Sequence, residues 1–155
     1  MIRGDAMVGI ECIGQLKAAI RRLADLPRKV AEEARGPLNE ELQAQFVNGE
    51  DPYGTPWEPV KPVTLLRRRV KKTPPPLTDT GELRSGTRVE LNRGARAGLL
   101  LHAGAPYAYF HQVGFSVGST AVPPRRILPQ FGLPARWKII LRRSAAIAAR
   151  RAIRG

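Results

Sequence analysis

Apolar positions change period several times along the chain. Over residues 7–13, Val8, Ile10 and Cys12 alternate with Gly9, Glu11 and Ile13, which predicts a short first strand ended by Gly14. From Gln15 the spacing lengthens. Leu16, Ile20, Leu23 and Leu26 form a helical stripe with Lys17, Arg21 and Arg22 opposite it. Pro27 is expected to interrupt or bend that helix. A second stripe follows at steady i,i+4 spacing through Val30, Ala34, Leu38, Leu42 and Phe46. Pro37 lies inside it as the expected first residue of a renewed helix, and Asn48-Gly49 supplies a left-handed stop. The pattern predicts a helical arm over 15–47, one broken helix or two linked ones, packed on a sheet or a neighbouring subunit.

Periodicity then fails. Residues 50–80 are a predicted loop, punctuated by Asp51-Pro52, Gly54, Pro56, Pro59 and Pro62. Trp57 stands in this loop, either plugging a small core of its own or anchoring an interface. Thr64 is a candidate cap for a short helix carrying Leu65 and Leu66. Arg67-Arg68-Arg69-Val70-Lys71-Lys72 is the densest basic run, and Thr73-Pro74-Pro75-Pro76 after it must be extended. Thr80 or Asp79 can bond nearby backbone in a turn. Asp79 resembles a catalytic acid only in isolation, because no second carboxylate or histidine accompanies it in a recognisable pattern.

Alternation returns at 87–91, where Val89 and Leu91 oppose Arg88 and Glu90. After Asn92-Arg93-Gly94 a second apolar run, 97–101, predicts the other half of an antiparallel hairpin. Unbroken Leu99-Leu100-Leu101 predicts cover on both faces of that strand. Residues 107–110 predict one helical turn with His111 at its end and Gly114 releasing the chain. Phe115-Ser116-Val117 begins a strand or a loop, and Gly118-Ser119-Thr120 is a flexible link. Pro123-Pro124 leads stiffly to Arg125 and Arg126, whose forked guanidinium groups can bridge an interface or hold the loop down. A last helix over 134–153 has Trp137, Ile140, Leu141, Ala145 and Ala148 on its apolar side. The predicted fold class is α+β. It forms one domain over 1–155, with N-terminal helices and a C-terminal helix packed on a small antiparallel sheet, plus a long proline-rich loop.

Charge changes this picture more than composition does. The 155 residues carry a formal net charge of +13, which implies a polyanionic partner, nucleic acid or an acidic protein surface. The last helix alone contributes Arg136, Lys138, Arg142, Arg143, Arg150, Arg151 and Arg154, with no acid among them. Two surfaces therefore stand out as partner or phosphate contacts: Arg67, Arg68, Arg69, Lys71 and Lys72, and Arg142 with Arg143. No base-reading module is present. Cys12 is the only cysteine, so no internal disulfide or zinc site is expected, and Cys12 itself is expected to be a small buried residue. No cofactor is implied. His102 and His111 have no metal-ligand spacing, and His111 beside two tyrosines predicts a packed, hydrogen-bonded histidine. The expectations are a non-enzyme without catalytic or metal-binding residues, with no signal segment and no membrane contact.

The order of motifs resembles the virion morphogenesis and tail-completion proteins of tailed bacteriophages. The resemblance rests first on a short strand ending at Gly14 and the leucine-rich helices after it, then on Gly54-x-x-Trp57-x-Pro59-Val60 followed by Thr64-Leu65, and on Pro76-Leu77-x-x-Thr80-Gly81-x-Leu83-Arg84. Further on it rests on Tyr107-Ala108-x-x-His111-Gln112-x-Gly114 and Val122-Pro123-x-Arg125-x-Ile127-Leu128. It spans roughly residues 8–128. It implies a mixed fold assembling into rings, often hexameric, at the neck between head and tail. Gly81 and Leu83 would introduce the hairpin, Tyr107, His111 and Gly114 would pack beneath the sheet, and Arg125 would lead to the final structured part. Implied partners are further copies, other neck, portal-adaptor or tail-terminator proteins, and packaged DNA contacted without sequence preference. Implied locations are the virion neck and, during assembly, the host cytoplasm. The competing reading is a basic, non-enzymatic nucleic-acid-binding accessory protein. Two positions depart from the pattern: Gly86 directly after Ser85, and Arg126 where a proline is usual.

Overall fold

The computed structural model describes residues 5–68, 76–94 and 97–154, with side chains from residue 14 onward apart from Leu16. Two linked helices begin it, α1 (Asp5–Ala24) and α2 (Leu26–Asn48). The expected strand over 7–13 is instead the first half of α1. Val8, Cys12, Leu16 and Ile20 are also spaced by four, and a period of two is contained in a period of four over so short a window. Whether Cys12 is buried lies outside the described side chains. The break falls at Asp25, with Pro27 in the first turn of α2, where its missing N–H costs no helical bond.

Pro37 does not restart a helix. It sits inside a continuous α2, at an intrinsic cost of about 3 kcal/mol for an interior proline. Burial on both sides of it outweighs that cost: Ala31 and Ala34 before it and Leu38 and Leu42 after it are all in the core. Gly49 ends α2 in the left-handed region at φ 70°, and its N–H donates to the Gln45 carbonyl at 2.8 Å.

The predicted hairpin is β1 (Thr87–Asn92) and β2 (Gly98–Ala103), antiparallel, with Thr87 opposite Ala103 and Asn92 opposite Gly98. Helix α2 crosses it and supplies polar groups to the edge of β1. The Asn39 side-chain oxygen accepts the Val89 N–H at 3.1 Å, and the Gln43 amide donates to the Thr87 carbonyl at 2.6 Å. The last helix is α6 (Ala135–Arg154). Trp137 of α6 meets Ala34, Leu38, Leu42 and Val89, with Leu99 and Leu101 packed alongside. Leu100 is 51% exposed. The expected cover on both faces of β2 is thus found on one face only, because the helices lie on the same side of the hairpin.

The remaining elements form a second core. Short helix α3 (Pro62–Arg67) starts at Pro62 with Lys61 as its cap residue, so Thr64 lies within the helix and does not cap it. Helix α4 (Glu82–Gly86) leads straight into β1. Helix α5 (Ala108–Val113) runs longer than the single turn expected and places His111 inside it. Strands β3 (Phe115–Val117) and β4 (Thr120–Val122) pair as a second small hairpin, with Gly118 at its turn. Phe46, Trp57, Leu83, Ala105, Ala108 and Ile127 bury one another between these pieces.

Gly86, the first departure from the family pattern, has a physical reason. A Cβ there would stand 3.1 Å from the Gly104 Cα, and a Cβ on Gly104 would stand 2.7 Å from the Gly86 carbonyl oxygen. The two glycines let the ends of the main hairpin touch, and the Gly104 N–H donates to the Gly86 carbonyl at 2.9 Å.

Candidate functional site: loop clamp and exposed surfaces

The motif residues converge on the second core. Trp57 is 6% exposed, its ring 5.6 Å from that of Phe46 in an edge-on arrangement, and its Nε1 donates to the Arg126 carbonyl at 2.9 Å. Its surface is used up inside the chain, so it is not an exposed interface anchor. Leu83 is fully packed in the same cluster. Gly81 precedes α4 at φ 80°, and the Glu82 N–H donates to the Thr80 hydroxyl at 3.3 Å. The turn chemistry expected of Thr80 is therefore present.

Arg125 is the clamp of this region. It is 8% exposed. Its N–H donates to the His111 carbonyl at 2.7 Å, and its guanidinium donates to the carbonyls of Glu58 at 3.0 Å and Pro59 at 3.5 Å. Burial holds its pKa below the usual arginine value, and the charge of Arg68 adds to that while Glu58 opposes it. Of the two roles open to this arginine in sequence, the geometry is that of a loop tie. Arg126 bonds the Gln130 side chain at 3.2 Å and lies 5.2 Å over the Phe131 ring.

His111 sits between aromatic rings, 5.8 Å from Tyr107 and 5.9 Å from Phe115. Its Nδ1 is buried and has no hydrogen-bond partner among the described residues, so the expected packing is present without a bond at that nitrogen. Burial, and then the nearby Arg125 charge, lower its pKa. Tyr107 donates to Glu82 at 3.4 Å, and burial with the Glu82 charge raises its pKa. Gly114 turns the chain at φ 79°, where a Cβ would press on the Val122 carbonyl and Pro124.

These groups border a cavity of about 510 Å³, into which Lys61, Arg68, Glu82, Tyr107, His111 and Arg125 face. Its cations and carboxylates are mixed, its tyrosine is held protonated, and its histidine is kept neutral. Among the described residues, no group of three or more His, Cys, Asp or Glu could hold a metal ion, and no helix is long and apolar enough to cross a membrane.

Among the described residues, the basic surfaces separate into arginines that bond a carboxylate and arginines that are exposed. Arg136 at the start of α6 donates to Glu41 at 3.3 Å and to Glu50 at 2.6 Å. Those bonds lower the Glu50 pKa, with Asn48 contributing after Arg136, and raise that of Arg136. Arg151 bonds Glu33. Both arginines therefore fasten α6 to α2. Arg142 and Arg143 are exposed on the outer side of α6. Arg67 is exposed at the end of α3, whereas Arg68 is buried. Arg69, Lys71 and Lys72 lie outside the described residues, as do Thr73, Pro74 and Pro75.

Sequence reasoning passed over the side chains that hold the loop together. Gln112 accepts the N–H groups of Ile127 and Leu128 at 2.8 and 3.0 Å, and donates to the Leu128 carbonyl at 2.7 Å. The Tyr53 hydroxyl accepts the Phe131 N–H at 2.7 Å and the Gln130 N–H at 3.0 Å. Asp51 accepts two backbone N–H groups of its own turn. Asp51-Pro52 was a visible turn signal; Gln112 reaches across 15 and 16 positions and Tyr53 across 77 or more, and such contacts leave no local trace.

A second set of groups is apolar and uncovered. Tyr109 is 68% and Phe110 52% exposed, with Val113 and Val117 also open to solvent. Rings of Tyr109 and Phe110 meet at 6.1 Å, as do those of Phe110 and Phe115.

The motif order, the loop clamp and the helices around the hairpin agree with one comparison. The model of the phage virion morphogenesis family matches residues 11–150. The chain belongs to that family. It is accordingly a structural component of bacteriophage virion and tail morphogenesis, and not an enzyme. No curated protein and no solved structure matches it.

Proposed function

We propose that this phage morphogenesis protein is a ring-forming subunit of the neck, joining the portal or its adaptor to the tail around the path of the DNA. The observation that carries the reading is the aromatic surface of α5 and β3. Tyr109 and Phe110 stand exposed with their rings together, and Val113 and Val117 of the same two elements are exposed as well, on a body whose own cores are already filled. A contiguous apolar patch of this kind is costly on a monomer and typical of a subunit contact. In a head-to-tail ring it would meet a different patch on the next copy, for which exposed Leu100, Phe131 and Leu133 are candidates. The outer arginines of α6 suit a ring whose lumen or rim meets phosphate or an acidic neighbour ring, without reading sequence.

The test is the mass of the assembly in solution by light scattering and native mass spectrometry. A closed multimer is expected, reduced to monomer by Phe110→Asp, which sits on the surface and leaves both cores intact. A wild-type chain that stays monomeric at high concentration, alone and with neck components added, rejects the ring. The accessory nucleic-acid reading is favoured by the exposed arginines Arg67, Arg142 and Arg143 alone. It requires tight binding of duplex DNA by the monomer, falling steeply with salt.

A further inference from the structure

Arg125 ties down the loop through neutral carbonyls, and those bonds leave its charge unmatched. The residue is 8% exposed. Its Nε donates to the Glu58 carbonyl at 3.0 Å, and its Nη2 to the Pro59 carbonyl at 3.5 Å, the limit of a hydrogen bond. The Glu58 carboxylate eases the charge through space and the Arg68 charge opposes it. Among the described residues, no carboxylate bonds this guanidinium. A cation taken out of water is ordinarily paired with an anion, since its lost hydration is otherwise uncompensated. Arg125 departs from that rule, and it does so on the wall of a cavity.

That cavity, of about 510 Å³, is within the usual size range of ligand sites. Glu82 on its wall accepts the Tyr107 hydroxyl and is held away from Arg125 by that bond. Val60, Leu77, Phe115 and Pro123 make much of the rest of the lining apolar. Strand β4 supplies one wall, and its neighbouring residues Thr120, Ala121 and Val122 all border the space. Successive side chains of a strand point to opposite faces, so an unbroken run along one wall marks the strand's edge. β4 pairs with β3 on one edge, and among the described residues no strand pairs with the other. An unpaired edge is a template for an extended chain. One buried cation, an apolar chamber and a strand edge therefore meet in one place.

We propose that this cavity takes the C-terminal end of a partner polypeptide, with the chain extended along β4, its last apolar side chain in the chamber and its carboxylate paired with Arg125. A nucleic-acid backbone would bring many phosphates to one guanidinium and nothing to Val60, Leu77 or Phe115. The site goes beyond the ring reading and does not rest on it: peptide binding and the mass of the assembly are separate measurements.

The probes are short peptides of alternating threonine and valine, labelled with fluorescein at the N-terminus and ending in valine, leucine, isoleucine, methionine or phenylalanine. Each is made with a free C-terminal carboxylate and again as the amide. Binding to the full-length protein is followed by anisotropy. Saturable binding of at least one free acid is expected, with its amide weaker by about tenfold or more, the loss of a charge-assisted pair. Arg125→Gln should abolish the preference for acid over amide. Ala121→Trp leaves Arg125 and its loop bonds in place and fills the wall at β4. Ala121 is exposed, so this variant should keep the wild-type melting temperature and lose the peptide. Failure of every free acid to saturate, or equal binding of acid and amide, would overturn the proposal. Displacement of the peptide by inorganic phosphate or by 4-methylpentanoate at the peptide's own concentration would assign the cavity to a small anion and overturn it too. Binding unchanged in Ala121→Trp would place the peptide elsewhere and reject this site.

Discussion

Each of the two cores is built on a tryptophan, and the two are made in opposite ways. Trp137 arrives on a regular helix and packs against the i,i+4 stripe of α2 and the hairpin. Trp57 arrives on a loop without periodicity and is held by bonds: its Nε1 to Arg126, its own N–H to the Gly49 carbonyl at 2.7 Å, and Arg125 to the carbonyls that follow it. The Nε1 of Trp137 is buried without a partner among the described residues. A helix satisfies its backbone internally and can bury a side chain on shape alone. A loop must find partners for its backbone as well, so its core is fixed by polar ties.

Truncation gives the largest effect and tests whether the cores are separate. Trp57→Ala and Trp137→Ala should each cost about 3–5 kcal/mol in urea unfolding. Leu128 packs against both clusters, so the double variant is expected to depart from the sum of the singles. Strict additivity would mean that Leu128 transmits no coupling between the two cores.

The same contrast decides what could be read from the sequence. The α2 stripe, the hairpin and the α6 face were legible because each buries residues at a fixed period against a neighbour. So was the family, because its motifs are turn and core residues in fixed order. The strand expected over 7–13 failed because two periods fit seven residues. Pro37 was misplaced because tertiary burial overrode a local rule. The exposed Leu100 was unreadable because three leucines in a row do not say which face is open. At the candidate site, His111 and Gly114 were placed by their motif. The ties made by Gln112 and Tyr53 were not readable, since each joins segments distant in the chain, and for Arg125 a loop tie was one of two open roles whose acceptors, the Glu58 and Pro59 carbonyls, could not be read.

Removing a tie without removing a core residue comes next in size. Arg125→Met keeps the apolar stem but abandons the Glu58 and Pro59 carbonyls and a buried charge. A loss of about 1.5–3 kcal/mol is expected from bonds made by a charged donor. Proteolysis should then cut first in the loop around Trp57, before the α2–α6 body. An unchanged digestion pattern would show that the clamp is dispensable.

Ring-conserving replacements separate the tryptophans most directly. Trp57→Phe strips the donor from the Arg126 carbonyl and should cost about 1–2 kcal/mol beyond the lost volume. Trp137→Phe loses volume but also removes an N–H buried without a partner, so its net cost is expected to be smaller. Thermal melts of the two variants rank them, and the reverse order would contradict the division into a bonded and a shape-packed core.

Acid should reach the loop core before the helical one, through His111. Burial and the Arg125 charge lower its folded pKa from the ordinary 6.5, so over a range below 6.5 the unfolded chain binds a proton that the folded chain refuses. Stability contributed by the neutral imidazole is therefore complete above pH 6.5 and declines as pH falls toward the lowered folded value, below which the loss levels off. Equilibrium unfolding between pH 7.5 and roughly 5, a span covering the histidine range, should show this decline in the wild type and a flatter profile in His111→Gln. The effect is the smallest of the four, because one proton is involved and the group is only partly enclosed. It is also the most local, since no histidine lies in the cluster around Trp137. A wild-type decline that survives in His111→Gln would show that the acid sensitivity over this range does not come from His111, and so does not belong to the bonded core.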